Sequence, residues 1–225
     1  MTRRSNAKAS TPWLARRLQG GLQAGLERAA RGLQVDPQRF LLHLQRAHGL
    51  PLNSYSDLFS LPVDELDRLA ALTIRATTKM GAIEGTGLGL GGFLTLVPDL
   101  GFLSTLTGRM IQKLSLIYGF PYATEEEKAE LWLAIASASG LDIGKEFLEK
   151  QVIERLVPRI IERVAVRAST EVAEKWAARA IPLLSGLTGG ALNYFFLRKW
   201  GRRAQAHFRA RHLERRATMR LGAAQ

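Results

Sequence analysis

The chain is predicted to be all-α. Apolar residues recur at three- and four-residue spacing through much of its 225 positions, and no stretch alternates as a strand would. Proline, glycine and Ser/Thr/Asp signals fall where helices start and stop. The expected architecture is a helical bundle with a central glycine-rich helical hairpin and basic terminal helices. Three segments are drawn: a basic N-terminal arm and amphipathic helix over 1–35, a helical domain over 36–215 and a tail over 216–225.

Residues 1–11 are polar and basic. From Pro12, Leu14, Leu18, Leu22 and Leu26 recur every four positions beside Trp13, with Arg16, Arg17, Arg28 and Arg31 supplying charge. Such a helix can lie on a membrane surface or dock on the body. A short helix is expected around 37–47, stopped by His48-Gly49-Leu50-Pro51 and followed by a connector to Ser60. The next starts near Pro62, with Asp64, Glu65 and Asp67 at its positive end, and no strong breaker separates it from Gly85.

Gly81, Gly85, Gly89 and Gly92 lie in an almost uncharged run. Glycine weakens a helix, so this density implies that close packing compensates. Pro98 is expected to end the first arm, Asp99 to cap the second, and Gly119 with Pro121 to stop it after Tyr118. Thr124 and Glu127 read as a capping box opening a helix to about Ser139, with Gly140 beyond. Over 145–167, Leu148, Val152, Leu156, Ile160 and Val164 form an apolar stripe, interrupted by Pro158. A short helix over 171–180 leads to a second uncharged block, 181–197, which holds Gly186, Gly189 and Gly190, before a basic helical tail. Gly81/Gly85/Gly89 and Ser185/Gly189/Asn193 share a four-residue small-residue spacing, so the two blocks are expected to pack together.

The block IEGTGLGLGGFLTLVPDLGFLSTLTGRMIQKLSLIYG, with its Pro-Asp step and Tyr-Gly helix end, resembles the EcsC family of bacterial helical proteins. The segment IPLLSGLTGGALNYFFLRKWGRRAQAHF is similar to that family's C-terminal pattern. Leu100 and Gly101 depart from it, standing where an isoleucine-proline pair is common. The resemblance implies an all-α protein with membrane-linked associations. It carries no catalytic residues.

The net charge of +12 is unevenly placed. Residues 1–35 carry +6 and residues 198–225 carry +8, whereas everything between carries −2. Basic ends on a near-neutral body suit an anionic partner. Arg16, Arg17, Arg198, Lys199, Arg202 and Arg203 are the candidate membrane or anion surface. Absence of cysteine excludes disulfides, and the N-terminus lacks the apolar core of a secretory signal. The expected location is cytoplasmic, peripheral at the inner face of the membrane.

No catalytic residue, cofactor or metal site is expected. His43/His48 and His207/His212 are each five apart, which does not place a pair on one helix face. The glycine block lacks the Lys-Ser/Thr ending of a phosphate loop. Glu84 and Asp99 are the candidate polar residues of the hairpin, but fifteen residues of helix separate them by about 20 Å, too far for a shared acid–base pair. Asn193 and Tyr194 are the further candidates for touching a ligand. The leading reading is a protein held at an anionic membrane, binding lipid or a membrane protein partner, its glycine blocks either shallowly inserted or forming a dry bundle core. The competing one is nucleic-acid binding through the basic C-terminal helix, with Trp200 and Phe208 stacking on bases. An enzyme acting on a lipid-like substrate is a third.

Overall fold

Asp36 opens the first helix, α1 (Pro37–His48). Its carboxylate accepts from the amides of Gln38 and Arg39 at 2.9 and 3.2 Å, and Pro37 occupies the first helical position, where no amide is needed. Gly49 closes the helix at φ 65°, a left-handed conformation that glycine adopts without a Cβ penalty. These details come from a computed structural model of the chain that describes residues 16, 19–20, 23–24, 27, 35–88, 96–140, 159–167, 169–170 and 185–222. Among the described residues every regular element is helical and none is a strand.

The connector contains a 3-10 helix over Tyr55–Ser60. Asp57 holds it by accepting from the amides of Asn53 and Ser54 at 2.6 and 2.9 Å, and these bonds keep its carboxyl below the usual range. Leu58 is thereby turned into the core. The second helix, α2 (Val63–Leu88), buries Leu66, Leu69, Ala70 and Ile74 and continues through Gly81.

The third helix, α3 (Leu96–Ile117), is helical on both sides of Pro98. Asp99 therefore lies inside a helix and is not the N-cap that the sequence suggests, and Pro98 does not end an arm, since the two residues before it are helical and continuous with those after it. Leu103, Leu106, Met110, Ile111 and Leu114 line its core face. Gly119 stops the chain at φ 90°, where a Cβ would come within 2.8 Å of the Phe59 ring. The α4 helix (Glu125–Ser139) opens on Thr124, whose hydroxyl accepts from the Glu127 amide at 3.2 Å. The Glu127 carboxylate returns to the Ala123 amide at 2.8 Å, one residue earlier than a regular capping box would have it. Gly140 closes α4 at φ 82°.

Residues 159–167 are helical and bury Ile160, Ile161, Val164 and Ala165 on one face, as the apolar stripe requires. Pro158 and the first half of that stripe lie outside the described residues. The last helix, α5 (Ser185–Gly222), has 38 residues and is about 57 Å long at 1.5 Å per residue. It merges the second glycine-bearing block, the basic segment and most of the segment drawn as a tail. Leu197, Trp200, Ala204, Phe208 and His212 descend one buried stripe along it, at spacings of three and four. It packs most extensively on α2 and also covers α3 and α4. The principal core thus surrounds α5.

Two glycines let α5 come close. A Cβ on Gly201 would stand 2.9 and 3.1 Å from carbons of Ile74 and 3.1 Å from the Met110 sulfur, and one on Gly81 would overlap the Leu197 methyl. Gly222 has open space around it. Gly201→Leu and Gly81→Leu should each cost about 1–3 kcal/mol of overpacking, lowering the melting temperature by roughly 3–10 °C. Gly222→Ala should leave it unchanged. Differential scanning calorimetry of the three variants checks this.

His212 is fully buried, stacked on Phe59 at 4.7 Å, with its Nδ1–H donating to the Tyr118 carbonyl at 2.9 Å. Burial, reinforced by the Arg216 charge, holds its pKa below the ordinary 6.5, against the opposing pull of the Tyr118 carbonyl and Asp67. The unfolded chain therefore takes up the proton first as pH falls. The stabilisation is complete above 6.5 and is lost as pH drops through the folded-state value. Thermal melts from pH 8 to pH 5 should show a steeper fall for the parent than for His212→Gln.

Candidate functional site

Helices α2 and α5 run antiparallel, and their register is fixed along its length. Arg216 donates to the Leu61 carbonyl at 3.1 Å, Arg209 and Gln205 reach Asp67, Gly201 meets Ile74, and Asn193 donates to the Gly81 carbonyl at 3.3 Å. On one side of this pair lies a half-open groove of about 850 Å³. Its α2 wall is Asp67, Ala71, Ile74, Arg75 and Thr78, and its α5 wall is Tyr194, Arg198, Arg202, Gln205, Ala206 and Arg209. Both sets are single helical faces. The register puts Ala71 level with Ala206, and these short side chains leave the hollow open.

One end of the groove is closed by a polar network. The Tyr118 hydroxyl donates to Asp67 Oδ1 at 2.5 Å, and Arg209 Nε donates to Oδ2 at 2.9 Å. The Gln205 amide donates to the Tyr118 hydroxyl at 3.3 Å and to the Asp67 carbonyl at 3.4 Å. Burial, then the bond to Asp67, pushes the Tyr118 hydroxyl far above its ordinary range, so it remains a proton donor. At the other end, Arg198 donates to the Tyr194 hydroxyl at 2.6 Å with its guanidinium 5.8 Å from that ring's centroid, a cation–π arrangement that orients the arginine. Four arginines line the groove, and its one carboxylate is already engaged by Tyr118 and Arg209.

The residues singled out from the sequence divide. Arg198, Arg202 and Tyr194 line the groove. Arg203 turns to the body, its Nη1 donating to the Ala138 carbonyl at 3.2 Å at the C-terminus of α4. Lys199 is half-buried and Arg16 is exposed. Asn193 is buried against Gly81, and Gly190 is buried in α5. Glu84 and Gly85 belong to α2, Asp99 to α3, and Gly186 and Gly189 to α5, with their side-chain positions outside the described residues. Gly89, Gly92 and Arg17 lie outside them altogether. The sequence does not single out Arg75, Asp67, Tyr118, Gln205 or Arg209. Their only signal is the helical spacing of 67/71/75 and of 194/198/202/206/209, which acquires meaning once α2 and α5 are known to face each other.

Several charges of the C-terminal segment serve docking. Glu130, buried on α4, accepts from His207 at 3.1 Å and from Arg211 at 2.6 Å, and Arg211 also bonds Glu214 at 2.6 Å. Trp200 and Phe208, the aromatic residues that could stack on bases, are buried in the core. His43 and His48 lie edge to face at 5.8 Å beside a smaller hollow of about 230 Å³ between α1, α2 and α3. Among the described residues no cluster of three or more metal-binding side chains occurs, and no helix is long and apolar enough to cross a membrane.

Protein EcsC of Bacillus subtilis (strain 168) is 28% identical over 170 residues, covering 72% of this chain and 70% of the relative. No solved structure matches. The pattern of the EcsC protein family matches residues 30–213, from just before α1 to the last turns of α5, and the chain belongs to that family.

Proposed function

We propose that this protein attaches peripherally to an anionic membrane, at the inner face of the cytoplasmic membrane, with the glycine-bearing end of the α2/α5 pair directed at the bilayer. The observation that carries this is an exposed apolar patch beside a cationic groove. Met80 and Ile83 on α2 are 51% and 61% exposed, and Phe195 on α5 is 56% exposed. The antiparallel register brings all three to one level of the pair, on the glycine-bearing side of the groove. Arg75 and Arg202 lie eight and seven residues back from Ile83 and Phe195, about 10–12 Å at 1.5 Å per residue. This separation matches apolar side chains dipping 5–10 Å into the acyl boundary while cations stay among the headgroups.

Lipid is the favoured partner, with a membrane protein as the next. The basic terminal segments add electrostatic attraction of roughly 1 kcal/mol per basic residue near the surface. Among the arginines of α5 nearest the apolar patch this falls to Arg198 and Arg202, because Arg203 is engaged in docking and Arg209, Arg211, Arg215, Arg216 and Arg220 lie towards the far end of the helix. Nucleic-acid binding is disfavoured by the burial of Trp200 and Phe208.

Vesicle sedimentation tests the reading. The protein should bind phosphatidylcholine vesicles containing 30% phosphatidylserine and bind pure phosphatidylcholine weakly. The triple variant Met80→Ser/Ile83→Ser/Phe195→Ser should keep its melting temperature, since exposed substitutions are near neutral, and lose at least tenfold in affinity, given about 0.8 kcal/mol per buried methylene. Undiminished binding by that variant would contradict this orientation.

A further inference from the structure

The register that makes the groove also sets Arg75 of α2 level with Arg202 of α5. Asp67 pairs with Arg209, Ala71 stands level with Ala206, and one turn further along α2 lies Arg75, one turn back along α5 lies Arg202. Both side chains are exposed and line the same hollow, and among the described residues no carboxylate pairs with either. Two guanidinium groups lining one groove at the same level repel, and an anion placed between them relieves that repulsion. The groove's own carboxylate cannot do so, because both Asp67 oxygens are occupied. The floor offers no competing donor: Thr78 is buried and its hydroxyl donates to the Ile74 carbonyl at 2.5 Å.

Resting on the membrane reading above, the geometry points to a binding site for one phosphomonoester group, bridged by Arg75 and Arg202 with Arg198 as a third donor. A guanidinium presents paired N–H donors in a planar fork, so two opposed forks offer four donors and are best matched by a group with many acceptor lone pairs and more than one negative charge. A phosphomonoester supplies three free oxygens and a charge of about −1.5 to −2 at pH 7. A phosphodiester supplies two free oxygens and one charge, and a carboxylate supplies the same. The higher charge opposite two cations favours a terminal phosphate, of the kind carried by a phosphatidic-acid headgroup on a membrane or by glycerol 3-phosphate in solution. The groove volume lies within the 300–1,000 Å³ of typical small-ligand sites.

The test uses the full chain and the charge-conserving variant Arg75→Lys/Arg202→Lys, which keeps every positive charge but removes the forks. Vesicles containing phosphatidic acid or phosphatidylserine are matched in surface charge, and glycerol 3-phosphate is titrated separately while the melting temperature is read. The parent should prefer phosphatidic acid at least tenfold, and the lysine variant should lose that preference while binding phosphatidylserine vesicles within twofold of the parent. A saturable melting-temperature rise with glycerol 3-phosphate, absent from the lysine variant, would support the same site and identify a free phosphomonoester as a source; a response to vesicles alone identifies the lipid. If the parent binds no phosphatidylserine vesicles yet shows the variant-sensitive glycerol 3-phosphate shift, the membrane reading fails and the phosphate site stands. No preference for phosphatidic acid and no shift in the parent, or full retention of both responses in the lysine variant, overturns the inference.

Discussion

The close approach of α5 to α2 is the contact on which the other elements depend. It is made where side chains are absent: Gly201 lets α5 settle on Ile74 and Met110, and Gly81 admits Leu197 and leaves its carbonyl for Asn193. Two backbones brought together in this way exclude water over a long seam, and the buried stripe from Leu197 to His212 then has α3 and α4 to pack against. Polar ties fix the register that apolar packing alone would leave free to slide. The Asp67 network, the Asn193 amide and the Arg216 bond to Leu61 each hold a different level of the seam. Because register decides which side chains stand opposite one another, it also creates the groove.

Charge is distributed by the same geometry. On a solitary basic helix the arginines would be interchangeable, whereas on docked α5 their roles are set by the face they occupy. Arg203 satisfies a carbonyl at the end of α4, Arg211 neutralises the buried Glu130, to which His207 is also hydrogen-bonded, and Arg209 binds Asp67. A buried carboxylate without partners would be costly, so these polar partners are part of the folding of α4 and α5. The remaining face carries Arg198 and Arg202 together with Arg75 from the opposite wall.

Local signals made the helix ends legible. Asp36, Pro37 and Gly49 bound α1, Thr124 and Gly140 bound α4, and Gly119 ends the run after α3, each because a cap or a left-handed backbone has a residue-level signature. Pro98 misleads because a proline reads as a stop, whereas the chain is helical on both sides of it. The 3-10 helix over Tyr55–Ser60 is hidden because its hold is a side-chain bond from Asp57 and not an apolar period. The groove is less legible still. Arg75 and Arg202 are remote in sequence, and only the antiparallel register makes them neighbours. Family resemblance marked the glycine-bearing blocks but carried no information about the face that flanks them.

Orientation at the bilayer is the central functional claim, and depth measurement by site-directed spin labelling addresses it directly. The chain has no cysteine, so single labels can be placed without background. A label at position 195 and one at exposed position 215 sit about 30 Å apart along α5 at 1.5 Å per residue. On vesicles containing phosphatidylserine, the label at 195 should become accessible to oxygen and shielded from a water-soluble nickel chelate, while the label at 215 remains in water. Both labels staying equally exposed to the chelate, or 215 becoming the shielded one, would contradict the account.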